Sequence, residues 1–195
     1  ATAHFGKWHL GREPYSPLQQ GFDVDLPHAP VPGPAGGYLA PWSFWPGQGA
    51  PGEHIEDRMA AEASKFIGAH RDRPFYMSYW AFSVHSPWQT KAALIEKYRA
   101  KVKPDAPQRN PMYAAMVECL DQAVGRLMQA VDNAGLRDDT VFVFFSDNGG
   151  VHWPLDKPGL MHPEFAGVPA TSNAPLRGGK ATLYEGGTRE PCFVV

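Results

Sequence analysis

The sequence predicts an α/β domain in which helices pack on a mostly parallel central sheet. Three observations carry that expectation. Residues 75–82 (FYMSYWAF) are apolar and aromatic on both faces, as a strand covered on both sides of a sheet should be. Residues 110–135 hold a strongly periodic helix, and residues 141–145 (VFVFF) read as a second buried strand reached from it by a short connection. Strand, helix, helix and strand in this order imply parallel crossovers.

The chain opens with no lead-in element, because Ala1-Thr2-Ala3-His4-Phe5 runs straight into GKWHLG at residues 6–11. Residues 11–52 hold seventeen of the forty glycines and prolines, which predicts a long irregular loop laid over a domain whose regular elements lie elsewhere. Ile55, Met59, Ala63, Phe66 and Ile67 recur at helical spacing and predict an amphipathic helix over residues 53–69, closed by Arg71-Asp72-Arg73-Pro74. A turn is expected at His85-Ser86-Pro87, a weaker helix over residues 92–101, and a breaker-rich connection over residues 103–109. Asn110 then supplies an N-cap and Pro111 a first helical position. Tyr113, Met116, Val117, Leu120, Val124, Leu127 and Val131 form the expected apolar stripe, and Gly135 stands where a left-handed C-terminal glycine belongs. No internal repeat is visible.

Composition narrows the function classes. A chain of 195 residues can bury one sizeable core, so it is one globular domain or a large piece of one. A net charge of −2 supplies no general attraction for nucleic acid. Strictly apolar runs reach only about five residues against the ~20 needed to cross a bilayer, which excludes a membrane span in this segment. Cys119 and Cys192 are too few for a disulfide framework and match no C-x-x-C spacing, leaving the compartment undecided. The start lacks an initiator Met, a basic n-region and an apolar h-region, and the end is an apolar run expected to be a strand cut in mid-course. The expectation is a fragment of a longer protein.

Ligands in an open α/β sheet gather beyond the carboxyl ends of its strands, and three polar clusters are expected at such exits. Lys7 and His9 flank Trp8, so in an extended segment the cation and the imidazole share a face. His85 directly follows the aromatic strand. Ser146-Asp147-Asn148-Gly149-Gly150 follows residues 141–145, and Asp147 and Asn148 offer hard oxygen donors suited to Ca²⁺ or Mg²⁺. A fourth cluster, Leu176-Arg177-Gly178-Gly179-Lys180, places two permissive glycines beside two cations, and Glu185-Gly186-Gly187-Thr188-Arg189 is a further glycine-loosened turn. Each has a plain structural alternative when taken singly: a solvated strand end, a turn histidine, an Asp-Asn-Gly turn that stops a strand, and a surface loop.

Jointly the motifs say more. GKWHLG, HSPW at residues 85–88, FFSDNGG at 144–150 and LRGGKATLYEGGTREP at 176–191, in this order, resemble the type I sulfatases. Gly21-Phe22-Asp23 and the helix NPMYAAMVECLDQAVGRLM extend the resemblance over essentially the whole chain. It implies an alkaline-phosphatase-like α/β sandwich, here as a partial domain. Residues 1–195 would be part of the catalytic domain, with the nucleophile segment before residue 1 and a C-terminal subdomain beyond residue 195. It also implies a divalent ion, usually Ca²⁺, held by four oxygen-bearing side chains, of which Asp147 and Asn148 look like the second pair. The first pair, a double Asp, is not in this chain. Lys7 and His9 look like the residues that contact a formylglycine nucleophile and the sulfate, and His85 and Lys180 like the pair that binds sulfate and assists the departing alcohol.

In the family's mechanism a hydroxyl of hydrated formylglycine attacks sulfur, the alcohol leaves, and the sulfated hydrate collapses to the aldehyde, with His9 as the base for that collapse. Lysines and a metal suit a reaction that builds negative charge on the bridging oxygen, and histidine moves protons near neutral pH. The chain departs from the family at one point. Formylglycine arises from Cys or Ser in C/S-x-P/A-x-R, and neither Cys119, Cys192 nor Ser16-Pro17-Leu18 fits, so the expectation is a nucleophile before residue 1, with a degenerate sulfatase that has lost it as the alternative. Two other functions stay open: a phosphate or phosphonate monoester hydrolase of the same superfamily, and a non-catalytic binder of sulfated glycans. The resemblance further implies a sulfated small molecule or glycan as substrate, a formylglycine-generating enzyme as partner, and a periplasmic or extracellular location. Trp88, His152 and Trp153 are candidates for a rim on which a sugar stacks.

Overall fold

The chain enters directly on a strand, which local sequence did not announce. In the computed structural model, which describes residues 1–155 and 163–195, β1 (Thr2–Gly6) is the middle strand of a three-stranded sheet. On one side lies β2 (Val24–Leu26) and on the other β3 (Tyr76–Trp80), both parallel to β1, with Phe5 level with Leu26 and Tyr79. β2 therefore interrupts the long Pro/Gly stretch, which otherwise runs through turns and a short 3-10 segment at Pro17–Gln20. The parallel α/β class is borne out, and the crossover that realises it connects β2 to β3 through α1 (Ile55–Ala69).

One sheet face is covered as expected. Ala3 and Phe5 bury against Ala63, Phe66 and Ile67 of α1 and against Leu127 and Val131 further along the chain. The other face is less covered: Tyr76 and Trp80 of β3 are 61 % and 44 % exposed, so the strand is not sealed on both sides. Between them Ser78 is buried beside His4, whose Nδ1 lies 3.2 Å from the Ser78 hydroxyl. The rings of Trp8, Phe22 and Trp80 stand edge-on around His4. Burial there lowers the His4 pKa, since a charged ring loses its water.

After β3 come α2 (Ala92–Arg99) and α3 (Pro111–Asn133). The capping expectations hold. Asn110 Oδ1 accepts from the Tyr113 amide at 3.1 Å, Pro111 occupies the first turn, and Gly135 adopts φ 74°. The predicted stripe is rotated. The buried face carries Met112, Ala115, Met116, Cys119, Ala123, Leu127 and Val131, while Val117 is 45 % exposed. α3 packs against both α1 and α2, and alanines let helices approach closely, whereas hydrophobic periodicity favours the larger valines. The loop of residues 11–52 is no mere cover. Tyr38, Trp42 and Trp45 bury in one core with Phe82, Trp88, Met112 and Met116.

Residues 141–145 are not a buried strand of this sheet. Only Val143–Phe145 is regular, as β4, and it pairs antiparallel with β5 (Cys192–Val194) in a separate two-stranded ribbon. Val143 and Phe145 are each 65 % exposed, and Phe144 stacks on Phe193 at 4.7 Å between ring centres. The helices cover the β1 sheet instead. Among the described residues no helix is long and apolar enough to cross a membrane.

Candidate active site

Loops leaving the carboxyl ends of β1, β3 and β4 carry Lys7, His85 and Asp147-Asn148 respectively, so the strand-exit expectation holds for all three. The first exit is tight. Gly6 has φ 110°, a Cβ there would lie 2.0 Å from the Trp80 carbonyl oxygen, and the Lys7 amide donates to that same oxygen at 2.7 Å. Trp8 turns inward, stacks on Trp80 and donates its indole N–H to the Tyr15 carbonyl at 2.9 Å. Lys7 on one side is half-buried and His9 on the other is exposed. His9 makes no hydrogen bond or ion pair among the described residues.

His85 sits on a braced turn. Its amide donates to Phe82 O, and the Tyr38 hydroxyl lies 2.5 Å from Phe82 O and 2.7 Å from His85 O. Buried Glu56, at the start of α1, accepts from the Ser83 amide at 2.8 Å and from the Tyr79 hydroxyl at 2.9 Å. The His85 Nδ1 lies 2.7 Å from Ser86 O. A carbonyl can only accept, so Nδ1 carries the proton and Nε2 is the free nitrogen of the neutral ring. Burial lowers the His85 pKa most, the Lys180 and Lys7 charges lower it further, and Ser86 and Asp147 oppose them.

Lys180 reaches this cluster through glycines. A Cβ on Gly149 would lie 1.8 Å from Gly186 O, and one on Gly179 would lie 2.4 Å from Gly150 O, so the two loops meet only because these positions lack side chains. The Lys180 amide donates to Gly150 O at 3.1 Å. Asn173 ties the loops, accepting from the Gly150 amide and donating to Gly150 O and Gly178 O. The Lys180 pKa is lowered by burial and then by the Lys7 charge, with Asp147 opposing. Lys7, His85, Lys180 and Asp147 thus share one electrostatic neighbourhood.

The Asp147 end has oxygen donors to spare. Asn148 donates its amide N–H to Gly149 O at 3.0 Å, and its Oδ1 has no hydrogen-bond partner among the described residues. The register of β4 and β5, which sets Phe145 level with Cys192 and Ser146 N on Pro191 O, brings Glu190 beside Asp147. Glu190 Oε1 is buried without a partner, and burial first and the Asp147 charge second raise its pKa. A divalent cation fits this pair of carboxylates with a free amide oxygen, because it would relieve the repulsion. Among the described residues no three His, Cys, Asp or Glu side chains converge as a complete metal cage.

Of the expected rim, Trp88 is 4 % exposed and packs edge-on to Tyr113 in the core, so it is unavailable to a ligand. His152 and Trp153 are exposed and contact each other. Sequence reading missed Glu56, Tyr38, Asn173 and Glu190. Only Glu190 lay inside a quoted motif, and its neighbour Asp147 follows from strand register alone. Glu56→Ala would leave the Ser83 amide and Tyr79 hydroxyl unpaired and is expected to cost about 2 to 3 kcal/mol in denaturant unfolding. Glu56→Gln, which keeps one acceptor oxygen, should recover most of that; equal stability of wild type and the alanine variant would refute the brace.

Two lysines, a histidine and an acid–amide pair thus share one neighbourhood: exits of the parallel sheet carry Lys7 and His85, the exit of β4 carries Asp147 and Asn148, and a glycine loop carries Lys180. The chain belongs to the sulfatase family: the family model described as "Sulfatase" matches residues 1–195. A "Sulfatase" of Formosa agariphila is 32 % identical over 161 residues, which are 77 % of this chain and 26 % of that protein. Human "Arylsulfatase A" is 29 % identical over 98 % of this chain and 39 % of its own length, and mouse "Arylsulfatase J" 28 % over 100 % and 32 %. The chain thus spans a quarter to two-fifths of the length of these relatives. The solved structure of Ps i-CgsB in complex with k-i-k-neocarrahexaose is similar with a TM-score of 0.71 and 27 % identity, covering 99 % of this chain and 44 % of that one.

Proposed function

We propose that the protein containing this chain is a sulfuric ester hydrolase acting on sulfate monoesters of carbohydrate or aryl alcohols. The observation that carries this reading is the convergence of Lys7, His85 and Lys180 from three separate loops on the neighbourhood of Asp147. Two cations and a histidine match a substrate that is anionic before reaction and builds charge on its bridging oxygen during it. Relatives named as sulfatases across the length of the chain support the same conclusion.

Within this reading residues 1–195 are part of a catalytic domain. Lys7 and Lys180 hold the sulfate oxygens, and Lys180 meets the charge that develops as the ester bond breaks. His85, with Nδ1 fixed on Ser86 O, presents Nε2 to the leaving alcohol and serves as its acid in the imidazolium form, which carries a second proton on Nε2 and returns to the neutral Nδ1–H ring on giving it up. His9 is free to take a proton from the nucleophile side. Asp147 and Asn148 hold Ca²⁺, with Mg²⁺ as the smaller substitute, and Glu190 adds negative charge beside them. The ion supplies electrostatic stabilisation of the bound anion. A formylglycine from a segment upstream of this chain supplies the nucleophile, installed by a formylglycine-generating enzyme. A periplasmic or extracellular site accords with this family reading.

The test is release of inorganic sulfate from an aryl sulfate by the full-length protein after formylglycine maturation. Release of phosphate from the matching aryl phosphate without sulfate release would turn the assignment to a phosphomonoesterase, and glycan binding without either product to a lectin-like role. For the metal, Asp147→Ala is expected to weaken Ca²⁺ binding by at least the ~10- to 100-fold that loss of an outer-shell partner costs. Calorimetric titration reads this directly, and an unchanged affinity would remove Asp147 from the site.

A further inference from the structure

Beside the cluster, sharing the wall formed by Asn173 and Gly178, lies a cavity of about 370 Å³. That volume falls in the range of about 300–1,000 Å³ typical of small-ligand sites. Arg109 and His152 line it together with Thr171 and Ser172, and among the described residues no carboxylate belongs to the lining. Apolar surface from Pro169 and Leu176 completes it. A Cβ on Gly179, next to Lys180, would lie 2.5 Å from His152 Nδ1, so the cavity and the lysine loop are in direct contact.

Arg109 is the unexplained group. Its side chain is exposed and makes no hydrogen bond or ion pair among the described residues, although most other arginines of the chain are paired with acids. Its backbone, by contrast, is clasped on both sides. Gln108 Oε1 accepts from the Thr171 hydroxyl at 2.6 Å and from the Ser172 amide at 3.2 Å, and Gln108 Nε2 donates to Ser172 O at 2.6 Å. Asn110 Nδ2 donates to Pro169 O at 3.5 Å while its Oδ1 caps α3. The guanidinium is thereby carried at the edge of a cavity that adjoins the lysine loop, and among the described residues no acid pairs with it.

We propose that this cavity is a subsite for the sugar next to the cleaved ester and that Arg109 recognises a second oxyanion on it, a sulfate ester or a carboxylate. The inference rests on the sulfatase reading above and narrows its substrate to a polyanionic glycan. A planar guanidinium offers two parallel N–H donors to either group. The Ser172 hydroxyl, which accepts from the Ala174 amide, keeps its O–H for a sugar hydroxyl, the Thr171 hydroxyl oxygen, which donates to Gln108, can still accept, and Pro169 and Leu176 supply apolar surface for the ring.

The experiment titrates the full-length, mature protein calorimetrically with three sulfated disaccharides that differ only in the neighbouring sugar: one bearing a second sulfate, one a carboxylate and one neutral. Wild type is expected to bind at least one charged probe about tenfold or more tightly than the neutral one, in line with a charge-assisted bidentate contact. Preference for one charged probe identifies the oxyanion. Arg109→Ala should erase the preference without changing the Kd of the neutral probe, and Arg109→Lys should restore part of it. A wild type that does not discriminate, or an alanine variant that still does, would overturn the subsite. Turnover of a simple aryl sulfate, which has no second anion, should be unaffected by either substitution. Its absence in wild type alongside intact discrimination would strike the sulfatase reading and leave the subsite standing.

Discussion

Replacing Lys180 by alanine in the mature full-length protein is expected to lower kcat on an aryl sulfate by ~10²- to 10³-fold, the usual cost of removing one preorganised electrostatic partner. Lys180 is held for this role. Its amide is bonded to Gly150 O, its loop is locked by Asn173, and burial together with the Lys7 charge makes its own positive charge costly in the absence of an anion. Binding of a sulfate ester relieves that cost, and a charge that grows on the bridging oxygen relieves it further, so the loss should appear in kcat more than in KM. His85→Ala should fall in the same range, because the Nε2 that serves the leaving alcohol disappears. Steady-state kinetics of the two variants on a substrate with a poor leaving group give the measurement. Turnover within a few-fold of wild type for both would remove them from the reaction.

The second large effect is all-or-none. Residues 1–195 by themselves are expected to bind sulfate esters weakly and to show no multiple turnover. Lys7, His9, His85 and Lys180 can hold an anion and move protons, and none of them supplies the regenerable nucleophile that this mechanism needs. Neither Cys119, buried and close to the Thr90 hydroxyl, nor Cys192, exposed on β5, stands in a formylglycine motif. The same chain should also self-associate, since Val143, Phe145 and Phe193 leave an apolar ribbon more than half exposed. Purified segment and full-length protein, both exposed to formylglycine-generating enzyme, are compared in a sulfate-release assay and by light scattering. Sustained turnover by the segment would place the nucleophile inside it.

The chemistry-bearing groups were legible wherever a few adjacent residues suffice. Lys7, His85, Asp147 with Asn148, and Lys180 each stand in a short motif, and the first three stand directly after strands. Asn110, Pro111 and Gly135 announced α3 for the same reason, because capping and left-handed termination are properties of single positions. Less visible were elements whose character depends on what covers them. β1 is only five residues long and holds a buried histidine, so polarity disguised it. The α3 stripe came out rotated because Ala115 and Ala123 are buried where Val117 is exposed, while Met116, Leu127 and Val131 keep their expected place. Trp88, a sugar-platform candidate by sequence, is a core residue.

The sequence by itself determined which side chains carry charge, which can donate oxygen to a metal, where the longest helix begins and ends, and that parallel strands alternate with helices. Each of these follows from residue type and spacing within a few positions. Tertiary structure decided which of those groups meet. Glu190 stands beside Asp147 through the β4–β5 register, Lys180 approaches His85 because glycines let two loops nearly touch, and Glu56 and Tyr38 hold a turn that is distant from them in sequence. It also decided that β4 lies exposed in a ribbon and that Arg109 lines a cavity with no acid among its described lining residues. Register and close packing are set by contacts between residues far apart in the chain, and no local period encodes them.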